Sequence, residues 1–570
     1  MTSQTQNPGD LNGHSGFILA VFCLVSLFVI YPIRIPLPRI IQRPLLSILV
    51  KTRVIDEQGS RELLARRLNV WLSLTTAPVI GVLLLLATTT INGSTIRLGI
   101  VGDQHVKPYD VLVLFTSLAY ISIALDGTGA LEAMAFYVSK RGGSSGRLLF
   151  AYLYGFFLLT GCIVGNDPLI LSGTPFLAYL THHTGLEPTA WVFSEFMAAN
   201  TASAVLVSSN LTNVLIAGSF GLNFLTGFTK WTVLPSIIPA AITYPILMAM
   251  FWKKIPKRLE PLVEDPWSKI RDRTGAVFLS VLMLVTVAVL VGTSFVPGHV
   301  VQVWMVTTPA GVLGFVFNVM SDWLHPDTQR DSVRRQTSDR AADSQSIKEV
   351  ATTAGHHPKP GNDLLSLPVS STAADKEADQ GISKKCTLTS IVRSLTCRFP
   401  GTTRTLVRLP IALLPFAMCE FILVRGLAQR GWIRTFAHGF ANACTSPAKT
   451  VFFMGFVSAA FLCPLAGTNI GATIILVEIM RDSAFSQSSS VIKDHRIMEG
   501  AIYSVAMGSN IGAFSYTFAG SLAGLLWQSL LADKAIQISQ LKFALVNAIP
   551  LLMQIVVASA IVLGELYWFN

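Results

Sequence analysis

Long apolar runs alternate with short polar or basic stretches along most of the chain. Runs over 16–33, 69–91, 110–125, 148–164, 231–252, 274–296, 300–319, 405–424, 448–465 and 541–566 approach or reach the length a helix needs to cross a bilayer, about 20 residues. They predict an all-α polytopic membrane protein of about 11–12 spans once interrupted segments are added. The most unusual stretch is Gly161 to Phe220. It is apolar enough to lie in a bilayer, yet it carries Asn166, Asp167, Glu195, Asn200, Asn210 and Asn213 and is interrupted by Gly165, Pro168, Gly173, Pro175 and Pro188. A lipid-facing helix has no use for these residues, because amides and carboxylates in hydrocarbon need protein partners or a watery cavity. Apolar segments broken by Gly and Pro are how transporters bring helix ends to a solute at mid-membrane.

Two halves follow from the pattern. Residues 1–320 form an N-terminal transmembrane half, with a hairpin expected at 166–183 and a broken span at 189–219, the break falling near Ser208-Ser209-Asn210. Residues 405–570 form the second half, with a hairpin expected at 467–481 and a broken span at 501–530. Between them, 321–404 is rich in Ser, Thr and Asp, of mixed charge and without apolar periodicity, so it reads as a disordered cytoplasmic loop. The basic stretches 34–67, 253–273 and 324–403 should share one side of the membrane. Two spans separate the last two. Five separate the first two, so one further segment must cross or one loop must defy the rule.

Composition agrees with a membrane protein. The 570 residues are 51% hydrophobic and only 13% charged, with mean hydropathy +0.55, whereas soluble domains carry about 25% charged residues. The net charge of +11 does not indicate nucleic acid, because the basic residues cluster in loops beside spans. Seven cysteines form no C-x-x-C pair and mostly sit in apolar runs, as small core residues do. Asn92-Gly93-Ser94 is a glycosylation sequon, usable only on a lumenal loop. Neither a nucleophile elbow nor a Walker A motif occurs, so an enzyme or a self-contained ATP-driven pump is not indicated.

The halves repeat one another. In each, an amphipathic arm (126–147; 425–443) precedes a span, and a motif then opens a hairpin: Gly165-Asn166-Asp167-Pro168 in the first half, Gly467-Thr468-Asn469-Ile470 in the second. A Ser-Asn pair then breaks a span, Ser209-Asn210 matching Ser509-Asn510. The stretches SIALDGTGALEAMAFYVSKRGGSSGRLLFAYL, GNDPLILSGTPFLAYL, NTASAVLVSSNLTNVLIAGSFGLNF, FLCPLAGTNIGATIILVEIM and YSVAMGSNIGAFSYTFAGSLAGLLWQSLL resemble the arsenical-pump membrane proteins, part of the ion transporter superfamily with citrate-transporter-like domains. The resemblance implies two structural repeats with paired re-entrant hairpins and broken transmembrane helices, and no ATP site. It implies export of arsenite or antimonite, or, as in relatives, movement of dicarboxylates, citrate, silicic acid or sodium.

The candidate substrate- and ion-binding residues are Asn166, Asp167, Thr174, Asn200, Thr201, Ser209, Asn210, Thr212, Asn213, Thr468, Asn469, Thr473, Ser509 and Asn510. The asparagines offer both a donor and an acceptor, and they equally suit the capping of half-helices. Asp167 is the strongest ionisable candidate; Glu195, Glu420 and Glu478 also fall in apolar runs. Asp126 and Glu132 read as interfacial groups, and His182-His183 lacks the companions of a metal site. No catalytic residue, metal or cofactor is expected, and the coupling ion would be a proton or sodium. The expected function is secondary active transport of a small anion or metalloid oxyacid by alternating access. The alternatives are a sodium-coupled dicarboxylate or citrate symporter and a non-transporting, receptor-like membrane protein. The partners are the solute, the lipid bilayer, a second copy in a homodimer and a kinase acting on 321–404, where Arg334-Arg335-Gln336-Thr337-Ser338 sets hydroxyls after two arginines. Replacing 330–398 with a short Gly/Ser linker should leave flux per folded molecule intact. Loss of flux in a normally folded deletion would show that the loop takes part in transport.

Overall fold

The first helix, Gly13–Ile30, opens on a capping box in which Asn12 accepts from the Ser15 amide. Its Ile18, Val21, Phe22, Val25 and Val29 are buried. The computed structural model describes residues 11–52, 68–102, 107–259, 265–293, 303–324 and 398–569, apart from 410 and 412, with a few isolated positions besides. Most of the loop expected at 321–404 therefore lies outside the described residues.

Among the described residues, nine helices are long and apolar enough to cross a bilayer, and the chain is an integral membrane protein. The expected span at 69–91 is not one of them. Its start pairs as a strand, Asn69–Leu72, antiparallel to Ile33–Pro36. Its remainder is the 12-residue helix Thr76–Ala87, followed by Gly93–Val101, which Asn92 caps. At 1.5 Å per residue, 12 residues are too short for a hydrocarbon layer of about 30 Å. That removes one of the five segments expected between the first two basic stretches. The span expected at 405–424 lies within the candidate span Pro400–Gln429, which is built of two helical stretches. Helix Pro400–Arg408 ends before Pro410, and a second helix runs Leu413–Gln429, as expected where proline interrupts the ladder.

The repeat is longer than the sequence motifs indicate. In the first half, Pro108–Gly127 is followed by left-handed Gly129, the arm Ala130–Gly142 and the span Gly146–Val164. In the second, Leu413–Gln429 is followed by left-handed Gly431, Trp432–Ala443 and Pro447–Phe456, which continues through a π-turn to Leu465. Next come Gly165 (φ 92°) and Gly467 (φ 82°). Both glycine pairs stand 302 residues apart (431 − 129 and 467 − 165).

Beyond these glycines each expected hairpin is a single helix, Asn166–His183 and Asn469–Arg481. A residue with positive φ starts each helix afresh, so the turn of the hairpin falls later, before Thr189–Ala202 and before Arg496–Ile511. Irregular backbone then leads to Leu211–Ser219 and Leu522–Asp533, and each half closes on a long helix, Lys230–Met250 and Gln540–Phe569. This order corrects the pairing of the two Ser-Asn motifs. Asn210 caps Leu211–Ser219, and its counterpart is Ser521, which caps Leu522–Asp533. Asn510 instead lies in the last turn of Arg496–Ile511, in the place that Asn200 holds in Thr189–Ala202.

The halves interlock through aromatic packing. Phe196 stacks on Trp527 at 4.6 Å between centroids, Phe193 meets the same indole edge-on, and Trp231 stacks on Tyr503 at 4.8 Å. The edges of the long loop are ordered, which corrects the expectation of disorder over all of 321–404. Residues 321–324 end helix Val303–Leu324, and 400–404 begin the next helix. Asp322 accepts from the Gly401 and Thr402 amides, at 3.0 and 2.7 Å, and so caps Pro400–Arg408. Arg408 pairs with Asp126 at 2.8 Å, Arg271 pairs with Glu132 at 2.6 Å, and Arg398 lies over the Trp323 ring. Asp126 and Glu132 are thus structural tethers.

Gly165 has no room for a side chain, because a Cβ would stand 2.7 Å from the Ser209 carbonyl oxygen. Gly165→Ala is expected to destabilise the folded protein by roughly 1–3 kcal/mol through backbone strain alone. Gly155→Ala, in a helix with nothing within 4 Å of its Cβ, should be neutral or slightly stabilising. Thermal unfolding of both variants in detergent checks this; equal melting temperatures would contradict it.

Candidate functional site

Four helices begin around one cavity of about 50 Å³. Gly165, Asn166, Asp167 and Pro168 come from the start of Asn166–His183, and Ser208, Ser209, Asn210 and Leu211 from the start of Leu211–Ser219. The second half contributes Asn469 and Ile470, and Ser521, Leu522 and Ala523, again helix starts. Helix Pro108–Gly127 closes one wall with Phe115, Leu118, Ser122 and Ile123. The first amides of a helix lack intrahelical partners, and the macrodipole gives that end partial positive charge. Four such ends at one cavity favour a solute that presents oxygen atoms or negative charge. Among the described residues, no Lys or Arg lines the cavity.

The lining groups differ in what they have left to offer. Asn166 donates one Nδ2 hydrogen to Asn200 Oδ1 (3.0 Å), and Asn469 donates one to the Ser509 carbonyl (3.1 Å). Each keeps a donor and an acceptor for the cavity. Asn210 Oδ1 accepts from the Thr212 amide (3.3 Å), and its Nδ2 donates to Asn510 Oδ1 (2.8 Å). The Ser208 hydroxyl is buried and has no partner among the described residues. Asp167 is half-buried in the first turn of its helix, and among the described residues no side chain pairs with it.

Asn510 is the opposite case. Its Oδ1 accepts from Asn210 and from Ser203 Oγ (3.1 Å), while its Nδ2 donates to Asn213 Oδ1 (2.7 Å) and to the Ala506 carbonyl (2.9 Å). Its hydrogen-bonding capacity is filled. Asn213 spends its Nδ2 on the Ser203 and Leu206 carbonyls. Asn510, Asn213 and Ser203 therefore bind one another and hold the broken backbone of the first half against the second.

Of the sequence-predicted residues, the cavity receives Asn166, Asp167, Ser209, Asn210 and Asn469. The others sit behind it. Asn200 accepts from Asn166 and donates to the Phe196 carbonyl. Thr174 donates to Glu195 Oε2 (2.9 Å), Thr201 to Gln554 Oε1 (2.9 Å) and Thr473 to the Asn469 carbonyl. Thr468 caps its helix, Ser509 bonds back to Ala506, and the buried Thr212 hydroxyl has no partner among the described residues. Ser521, Ser203 and Gln554 are absent from the sequence-derived set. A Ser directly after Phe-Ala-Gly is an ordinary cap signal, but only the packed halves show which cap faces the cavity.

Asn210→Ala and Asn510→Ala should each lower stability, and the double variant should cost less than the sum. Direct partners in one network couple by about 0.5–3 kcal/mol. Thermal unfolding of the four-member cycle measures this; strict additivity would separate the two residues.

Residues 63–338 match the family model described as citrate transporter. An arsenical pump membrane protein of Escherichia coli is 32% identical over 187 residues, which cover 31% of this chain and 43% of that protein. The arsenical pump membrane protein of Yersinia enterocolitica is 31% identical over 187 residues, with the same coverage. The aligned region spans less than half the length of these curated relatives. Among solved structures, the YdaH transporter of Alcanivorax borkumensis aligns over 98% of this chain and 99% of its own, at 12% identity and a TM-score of 0.47. Neisseria gonorrhoeae MtrF aligns over 97% and 95%, at 12% identity and 0.44. Both scores are too low to bear on function. The sequence matches bear out the resemblance carried by the motifs: this chain is similar to the arsenical-pump and citrate-transporter-like membrane proteins.

Proposed function

We propose that this protein is an ion-coupled secondary transporter of a small anion or metalloid oxyacid, and that the cavity at the four helix starts is its binding site. The observation that carries this reading is the convergence itself. Two helix starts come from each half, they are equivalent in the repeat, and they are exchanged across an interface made of broken helices. That is the plan on which an alternating-access carrier exposes one site to either side. Asn166, Asn469 and Asn210 would bind the solute oxygens. Asp167 would hold the coupling cation beside them, since it adds the one lining charge to a site otherwise rich in donors.

The volume bears on the solute. At about 50 Å³ the cavity has room for more than one water, each needing about 10–15 Å³, so a small oxyacid fits. The resemblance to arsenical pumps favours such a solute, and the family match favours citrate.

Reconstituted vesicles with imposed proton or sodium gradients, tested with arsenite, antimonite, succinate and citrate, decide between these. Arsenite or antimonite accumulation is the expected result, and sodium-stimulated uptake of succinate or citrate would favour the symporter. Retained binding with no flux of any solute would mean a receptor. Asp167→Asn is expected to abolish gradient-driven accumulation while preserving exchange. Unchanged accumulation, with unchanged pH and sodium dependence, would leave Asp167 a helix-capping residue only.

A further inference from the structure

Glu420 lies on Leu413–Gln429 among Phe416, Ala417, Leu423 and Val424, and is 1% exposed. Among the described residues, neither of its carboxyl oxygens has a hydrogen-bond partner. It faces the first turn of Asn469–Arg481, where a Cβ on Gly471 would stand 3.4 Å from Glu420 Oε2. The same turn lines the substrate cavity on its other side through Asn469 and Ile470. A buried carboxyl therefore backs one of the four helix starts.

We propose that Glu420 is a proton-binding site, separate from the substrate cavity and coupled to it through the start of helix Asn469–Arg481. An ionised carboxylate with no partner is costly in apolar surroundings, and a proton removes that cost without requiring a cage of ligands. A transition-metal ion would require such a cage. Among the described residues, no group of three or more His, Cys, Asp or Glu side chains could supply one.

The other charged and titratable groups on the elements packed against Glu420 are engaged elsewhere or lie toward helix ends. Arg425, Glu478 and Arg481 pair with one another. Helix Gly13–Ile30 brings only His14, bonded to Thr90, and Cys23. Gly93–Val101 brings Arg97, and the arm Trp432–Ala443 brings Arg434 and His438. Pro108–Gly127 carries Asp110 and Tyr109 at one end and Asp126, paired with Arg408, at the other, with Tyr120 bonded to Asn318. Cys419 adjoins Glu420 on its own helix.

The coupling has a definite sign. When ionised, Glu420 draws on the positive end of Asn469–Arg481; when protonated, it leaves that end to the solute. Protonation and binding of an oxygen-rich or anionic solute therefore favour one another, and by linkage the effect is reciprocal. In the cycle one carboxylate oxygen takes a proton from water on one side, forming an O–H bond. That bond breaks when the proton passes to water on the other side, and nothing is oxidised or reduced.

The transport role of this site rests on the carrier reading, but the titration itself does not. Infrared difference spectra of the purified full chain, between acid and alkaline buffer, read the protonated carboxyl stretch with no substrate present. The expected result is a carboxylic-acid band that Glu420→Gln removes and Glu420→Asp retains at a shifted frequency. The Asp variant alone identifies the band if the Gln variant does not fold. In vesicles, proton movement on addition of arsenite, read with an entrapped pH dye, should be lost in Glu420→Gln while arsenite exchange persists. Spectra unchanged in both variants would overturn the assignment, as would no carboxyl titration at all. If wild-type vesicles pass no arsenite, the carrier reading fails for that solute, and the spectra still decide Glu420.

Discussion

A backbone amide released at a helix break inside a membrane must find an oxygen, and the architecture of this protein follows from where those oxygens come from. Gly165 and Gly467 each turn the chain at positive φ and start a helix whose first residues have no preceding turn to bond to. Some of those amides are met by caps, as Thr468 meets Gly471 and Ser521 meets Gly524. The remaining donors face a shared cavity. The cavity thus gathers four helix starts, three of them capped by Asn210, Thr468 and Ser521 and the fourth begun by Gly165 without a side-chain cap.

Keeping four such ends together requires a rigid junction between halves that lie far apart in sequence. Asn510 provides it. With every hydrogen-bonding position filled, and with partners at Ser203, Asn210 and Asn213, it fixes the irregular segment of the first half from the last turn of a second-half helix. The aromatic residues Phe193, Phe196, Trp527 and Phe543, all buried, add an apolar contact between the halves. In such surroundings a partly satisfied network is costly, which makes the junction well defined. The Asp322 cap and the Asp126–Arg408 pair perform a related task at the periphery, seating both ends of the long connecting segment on the first half.

The contrast between Asn510 and Asn469 shows why residue type alone does not assign roles. Both are buried asparagines near glycines in apolar runs. One has its hydrogen bonds saturated by protein and acts as a tie. The other spends a single donor on Ser509 and keeps the rest for the cavity. The same distinction separates Glu195, which takes the Thr174 hydroxyl, from Glu420, whose oxygens have no hydrogen-bond partner among the described residues and stand by a helix start.

The sequence by itself determined the membrane class, the order of elements that repeats and the polar motifs at its core. These depend on composition and local pattern, since an apolar run or a Gly-Asn start has the same local consequence wherever it packs. Only the tertiary structure decided that Asn200 rather than Asn210 is the counterpart of Asn510, that 69–91 is two short helices behind a strand, and that each expected hairpin is one arm of a longer one. It also separated the five predicted residues that reach the cavity from the nine that brace it. The physical reason is that hydrogen-bond saturation is a property of partners. The partners of residues such as Asn210 and Thr201 lie hundreds of positions away, at Asn510 and Gln554, where no local pattern records them.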